Sequence, residues 1–211
     1  MHRFLVLLLF FLLGSAQAQA NYRVSYHEEE KFQLIEFSGE IFAALIHPDL
    51  DQVLAQIHGT KDLVLKVGAS QGGVIPRFIW FIEKIKEKCA EKKGSACFLT
   101  TVFTHSCASA CTLFPLYSDH TVSLPSGRLG FHRTWILSRG LTLQSESRLA
   151  NVYAQGRGDA QWFSANAERL SSNQVSCYWM TKREEQLSGL IDEEAKNWPA
   201  FKSSYVPASK L

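Results

Sequence analysis

Three short segments carry residue types that could do chemistry together. Gly72-Gly73 sits between an apolar run and a helical pattern, and Cys107-Ala108-Ser109-Ala110-Cys111 holds a serine between two alanines. Leu129-Gly130-Phe131-His132 closes on an imidazole. A serine hydroxyl is a weak nucleophile until a base takes its proton, and a neutral imidazole suits that task near neutral pH. Small neighbours let the hydroxyl of Ser109 stand clear at a helix start, where the N–H of Ala110 can face developing negative charge. Adjacent glycines allow positive φ and expose N–H groups unscreened by a Cβ, as an oxyanion or phosphate cradle requires. Taken singly, each has a plainer reading: a tight turn for the glycines, an N-cap for Ser109, a surface or hydrogen-bonded histidine for His132.

The segments fall at strand ends or strand-to-helix junctions, where α/β folds put their sites. Residues 31–37 read as a strand and 48–57 as an amphipathic helix, with Leu50, Val53, Leu54 and Ile57 on one face. The β-branched run 63–67 reads as a buried strand before Gly68, and 74–88 as a helix packed through Phe78, Ile79, Phe81, Ile82 and Ile85. Residues 96–102 give the next strand, 109–117 a short helix, and 121–124 with 129–131 two strands expected to form a hairpin. Strands alternate with helices through this half, so the class is α/β. Beyond it, 144–155 and 159–170 read as helices separated by Gly156-Arg157-Gly158, 178–180 as a last strand, and 182–188 as a short helix stopped by Gly189. The tail from 199 to 211 reads as polar and loose.

The 211 residues carry 22 Lys plus Arg against 20 Asp plus Glu, and 46% are hydrophobic. One domain with a sizeable core fits that composition, whereas a disordered or fibrous chain does not. A net charge of +2 offers no polybasic field for nucleic acid or an anionic membrane, so function must rest in a site. Arg3, the apolar run 4–13 and the small-x-small steps Ala16-Gln17-Ala18 and Ala18-Gln19-Ala20 read as a secretory signal peptide over 1–20, leaving one domain over 21–211. A periplasmic or secreted protein is therefore expected. All five cysteines follow that segment, and an oxidising compartment favours pairing, with one left over. Cys89 and Cys97 bracket a polar turn and are the first expected pair. His105, Cys107, Cys111 and Cys177 are ligands of zinc type, but oxidising surroundings favour disulfides over thiolates, so no metal and no cofactor are expected.

In this order, strand, Ala69-Ser70-Gln71-Gly72-Gly73-Val74-Ile75, helix, strand, small-Ser-small, helix and Gly-Phe-His resemble the Clp protease proteolytic subunit and its crotonase-like superfamily. The Cys-x-Ser-Ala-Cys box followed by Gly-Phe-His looks most like secreted ClpP-like proteins. The resemblance covers residues 32–192. It implies a single-domain spiral of β-β-α units and a serine hydrolase, a peptidase acting through an acyl-enzyme. Ser109 would be the nucleophile, His132 the general base, and the N–H groups of Gly73 and Ala110 the oxyanion hole. Gln71 stands where the family usually has Pro, which matters little to a backbone donor. Counting back four from Thr181, before Gly189-Leu190-Ile191-Asp192, the position of the family's acid holds Cys177. A Ser–His pair without its orienting acid is then expected, with a rate penalty. Cys177 could instead bond to Cys107 or Cys111, and Cys111–Cys177 is the pairing expected. The same departure supports an alternative, an inactive binding or assembly module on the same scaffold. Crotonase-type acyl-CoA chemistry is weaker, because no CoA pool is expected outside the cytosol. Implied partners are a peptide or unfolded-protein substrate and copies of the chain itself, without nucleic acid or an ATPase.

Overall fold

A computed structural model describes residues 22–41, 48–94, 96–132, 158–171 and 177–208. The expected signal peptide and the expected helix 144–155 lie outside these described residues. Ten strands and six α-helices run in chain order within them. The strands are β1 (Tyr22–Glu28), β2 (Gln33–Ile41), β3 (Leu63–Val67), β4 (Gly72–Gly73), β5 (Leu99–Phe103), β6 (Ser106–Ala108), β7 (His120–Ser123), β8 (Arg128–Phe131), β9 (Tyr178–Trp179) and β10 (Glu193–Glu194). The helices are α1 (Pro48–Gln56), α2 (Ile75–Lys93), α3 (Phe114–Tyr117), α4 (Ala160–Ser171), α5 (Lys182–Leu187) and α6 (Trp198–Ser204). A 3-10 turn over Ser109–Leu113 precedes α3.

The larger sheet has the order β1-β2-β3-β5-β7-β10, parallel except for the antiparallel edge strand β1. Its middle strands have no water-facing side: every residue of β5 is buried and only Lys66 of β3 is not. Such near-continuous apolar runs are what a parallel sheet covered on both faces demands. On one face α2 starts with Pro76 in its first turn, where a missing N–H costs nothing, and buries Phe78, Phe81, Ile82, Ile85 and Cys89. Phe37 of β2 meets Phe78, Phe81 and Phe114 at ring-centroid distances of 5.8, 5.3 and 5.4 Å. The other face is covered by the segment expected to be loose. Asn197 caps α6 by accepting the N–H of Ala200, and Phe201 and Tyr205 close over Phe32 with centroids 6.1 and 4.9 Å away. Burial of these two aromatics outweighs the polar composition around them.

A second sheet, β6-β8-β9, stands beside the first. β6 and β8 run parallel, and β8 and β9 antiparallel. The expected hairpin of β7 with β8 does not form. The turn between them closes through the Gly127 N–H to the Leu124 carbonyl, 2.8 Å, and β7 joins the large sheet while β8 joins the small one. The chain thus repeats a pattern: β3, β5 and β7 lie side by side in the large sheet, and after each the chain crosses toward the small-sheet side. Cys89 and Cys97 are joined, tying the last turns of α2 to the approach of β5.

Candidate active site

The repeat aligns the three chemical segments. Ser70 forms a parallel bridge with Cys107, and Cys107 pairs with Leu129 in the β6–β8 ladder. The Met180 N–H donates to the Leu129 carbonyl at 2.9 Å, extending the row to a fourth chain segment. Gly72 and Gly73 lie two and three residues beyond this row, Ser109 lies two beyond it, and His132 three. Adjacent strands stand roughly 4.8 Å apart, so all four positions leave neighbouring strands at the same end.

The glycine strap is pressed onto the serine turn. The Ser70 N–H donates to the Ser106 carbonyl and the Ala108 N–H to the Ser70 carbonyl, each at 2.9 Å. Gly72 has φ +94°, and a Cβ there would lie 2.6 Å from Ala108 O, 2.7 Å from Ser109 Cβ and 2.8 Å from Ala110 N. Gly73 has φ +143° and a Cβ would meet Ile41 O at 2.3 Å. β4 pairs with β2 so that the next donor, the Val74 N–H, reaches the Ile41 carbonyl at 2.8 Å. Ala110 lies in the first turn of the 3-10 segment, where N–H groups have no intrahelical acceptor.

Ser109 is the non-glycine residue with positive φ among the described residues, at 55°. Holding an L-residue in the left-handed region costs about 1–3 kcal/mol and turns its side chain out of the strand's alternation. Cys107 and Cys111 flank it as a disulfide with Cα atoms 5.4 Å apart. The hydroxyl of Thr112 donates to the Ser109 carbonyl at 2.6 Å, bracing the turn from inside. Ser109 is half-buried, and its own hydroxyl makes no hydrogen bond to a described residue.

The disulfide corrects one expectation. Cys111 takes Cys107, four residues away on the same turn, and leaves Cys177 free rather than bonded to Cys111. Short separation on a tight turn brings the first two sulfurs together, and sulfurs joined to each other are not thiolate ligands for zinc. Cys177 lies elsewhere: β9 pairs Trp179 with Gly130 and Tyr178 with Phe131, so the next step of the register sets Cys177 opposite His132. Directly opposed residues of an antiparallel pair share a face of the sheet. Burial pushes the Cys177 thiol up, which keeps it neutral and unable to balance an imidazolium.

Two carboxylates, Glu184 and Asp159, are engaged elsewhere and do not replace the missing acid. Glu184 accepts the Tyr178 hydroxyl at 2.7 Å and the Thr181 N–H at 2.8 Å and pairs with Arg169 at 2.7 Å. Burial works against its charge, but these donors hold its carboxyl below the usual range. Asp159 caps α4 by accepting the N–H of Trp162 at 2.8 Å.

One positioning device escaped the sequence reading. Glu185, 1% exposed, accepts the N–H of Leu129 at 2.8 Å and so fixes the strand that ends in His132. Lys182 lies 3.1 Å from its other oxygen and also donates to Leu124 O, Gly127 O and Ser123 Oγ. Burial raises the Glu185 carboxyl above its ordinary range, against the pull of Lys182. The signal available was Thr181-Lys182-Arg183-Glu184, a capping box that starts α5 and puts Lys182 and Glu185 one turn apart.

No known family profile matches the chain, and no curated protein sequence does. Among solved structures, ClpP1 from Listeria monocytogenes aligns with a TM-score of 0.56 over 79% of this chain and 92% of that one, at 17% identity. The likeness is one of fold: the chain has a ClpP-like α/β fold built on a central, mostly parallel sheet.

Proposed function

We propose that this chain is an extracytoplasmic serine hydrolase, a peptidase that forms an acyl-enzyme on Ser109. The observation that carries the reading is the common row Ser70–Cys107–Leu129, beyond which the glycine strap, the strained serine turn and the histidine emerge together. In this reading His132 takes the proton of the Ser109 hydroxyl as it attacks a carbonyl carbon. The N–H groups of Gly73 and Ala110 hold the oxygen that becomes negative, and His132 then returns the proton to the leaving amine. Water repeats the sequence to release the acyl group. Two disulfides favour an oxidising compartment. There the substrate is a short or already unfolded peptide, and copies of the chain assemble with one another as in the resemblance noted above.

Treating the purified protein with a fluorophosphonate probe tests this reading, with Ser109→Ala as control. Labelling that depends on Ser109 supports it, and its absence sinks it.

A second reading, a binding or assembly module on the same scaffold, draws on two observations. The residue one step beyond the last pair Phe131↔Tyr178 on the β9 side, Cys177, is a neutral thiol, and the Ser109 hydroxyl has no hydrogen bond to a described residue. An intact, folded protein that resists the probe at every pH favours this module.

A further inference from the structure

A cavity of about 750 Å³ opens beyond the carboxyl ends of β3 and β5 and runs over Glu36–Ser38 of β2 and Arg23–Ser25 of β1, apart from the Ser109 turn. Crevices at this end of an open α/β sheet are where such folds bind ligands, and the volume suits a few peptide residues. It lies on the sheet face that α6 covers: Lys66 reaches into its wall while its ammonium sits 4.9 Å over the Trp198 ring. Strand pairing composes the rest, with Arg23 opposite Ser38 and Ser25 opposite Glu36.

The charges do not cancel. Lys66 and Glu36 form a pair at 2.5 Å, and His27 approaches the second oxygen of Glu36 at 3.5 Å. Arg23 is exposed, and its guanidinium makes no ion pair or hydrogen bond with a described residue. A planar guanidinium without a partner among the described residues, in a recess that also offers the Ser38 hydroxyl, is matched to a carboxylate, which it can grip through two parallel N–H···O bonds. His105 completes the rim, its Nδ1 3.0 Å from Thr104 Oγ1.

We propose that this cavity is a subsite for a carboxylate carried by a peptide, either an acidic side chain or the terminal carboxylate, with Arg23 as its anchor. His105 precedes Ser109 by four residues and Ala69 precedes Gly72 by three, so this edge of the cavity lies within about 14 Å of the serine turn. An extended peptide covers that distance in about four residues. That the ligand is a peptide rests on the hydrolase reading; that it is a carboxylate rests on Arg23.

Isothermal titration of the full Ser109→Ala chain tests the subsite without turnover. Three N-acetylated probes suffice: an alanine-rich pentapeptide with one central Glu and an amidated C-terminus, the same peptide with Gln, and an all-alanine peptide with a free C-terminus. We expect the Glu or the free-acid peptide to bind at least tenfold tighter than the Gln peptide, which of the two identifying the source of the carboxylate. Arg23→Ala removes the advantage, Arg23→Lys keeps part of it, and 0.5 M salt weakens it. Equal binding of all three peptides, no binding of any, or an advantage that survives Arg23→Ala overturns the proposal. Absence of fluorophosphonate labelling in the unsubstituted chain, with peptide binding intact, would remove the hydrolase reading and leave the subsite standing.

Discussion

Gly72 and Ser109 touch so closely that a single added methyl group would bring two Cβ atoms to 2.7 Å. The same methyl would also meet Ala108 O and Ala110 N, both backbone atoms of the turn, at 2.6 and 2.8 Å. Gly72→Ala therefore cannot be absorbed by a flexible side chain, and its φ of +94° adds strain for any L-residue. We expect a loss of about 2–3 kcal/mol in urea unfolding and a fall of at least tenfold in fluorophosphonate labelling. Wild-type labelling in a destabilised Gly72→Ala chain would separate the strap from the serine turn and contradict this geometry.

Cys177, which with His132 follows the last pair Phe131↔Tyr178 of the ladder, yields a gain-of-function prediction. An acid at that position fixes the imidazole tautomer and stabilises the imidazolium, and removing one from a serine protease costs on the order of 10⁴ in rate. Cys177→Asp should raise the rate of probe labelling by roughly tenfold or more, because only part of that factor returns without the surrounding hydrogen bonds. Cys177→Ser, which adds no charge, should not. The comparison is made by stopped labelling followed by mass spectrometry, and equal rates for the Asp and Ser variants would refute the prediction.

The two disulfides should separate on function. Cross-linking short loops stabilises a chain by about 2–3 kcal/mol in the chain-entropy account, and both bridges close short loops. Only Cys107–Cys111 frames a non-glycine residue held at positive φ, Ser109; the Cys89–Cys97 loop holds Gly94, for which that region costs nothing. A Cys107→Ala/Cys111→Ala chain should label several-fold more slowly, whereas Cys89→Ala/Cys97→Ala should lose comparable thermal stability and keep its labelling rate. Labelling that falls equally in both would mean that global stability, not the turn, sets reactivity.

Much of this arrangement was legible because local chemistry and tertiary demand agree in it. The strand 63–67 has uniform β-branched and apolar content, and α2 has its apolar stripe and Pro76, so pattern alone located both. The three chemical segments could be named from residue type, adjacent glycines, a serine between small residues and a strand-end histidine, whereas the positive φ of Ser109 is visible only in the fold. What escaped is pairing at a distance. Whether β8 joins β7 or β6 depends on the register Cys107↔Leu129, which no window of sequence contains. β1 was missed because half of it faces water and its polar residues hide the alternation. The tail was misread because two aromatics, Phe201 and Tyr205, find a partner in Phe32 about 170 residues earlier.

His120 supplies the last prediction, on stability against pH. Its Nδ1 lies 3.3 Å from Asp192 and its Nε2 3.4 Å from Glu193, at the junction where β10 docks on β7. The hydrogen bond to Asp192 is the main cause raising its pKa above the ordinary 6.5, with burial opposing and Glu193 assisting. A raised folded-state value means that the native chain holds this proton more tightly than the unfolded chain. The resulting stability is fully present below about pH 6 and fades as pH rises through the raised value. The side chain is about a third exposed, so screening limits the effect to roughly 0.5–1 kcal/mol. Urea unfolding of the wild type and of His120→Gln in low salt should differ most near pH 5.5 and converge by about pH 9. A difference that stays constant across that range, or grows toward alkaline pH, would show that the junction is held by something other than the charged imidazole.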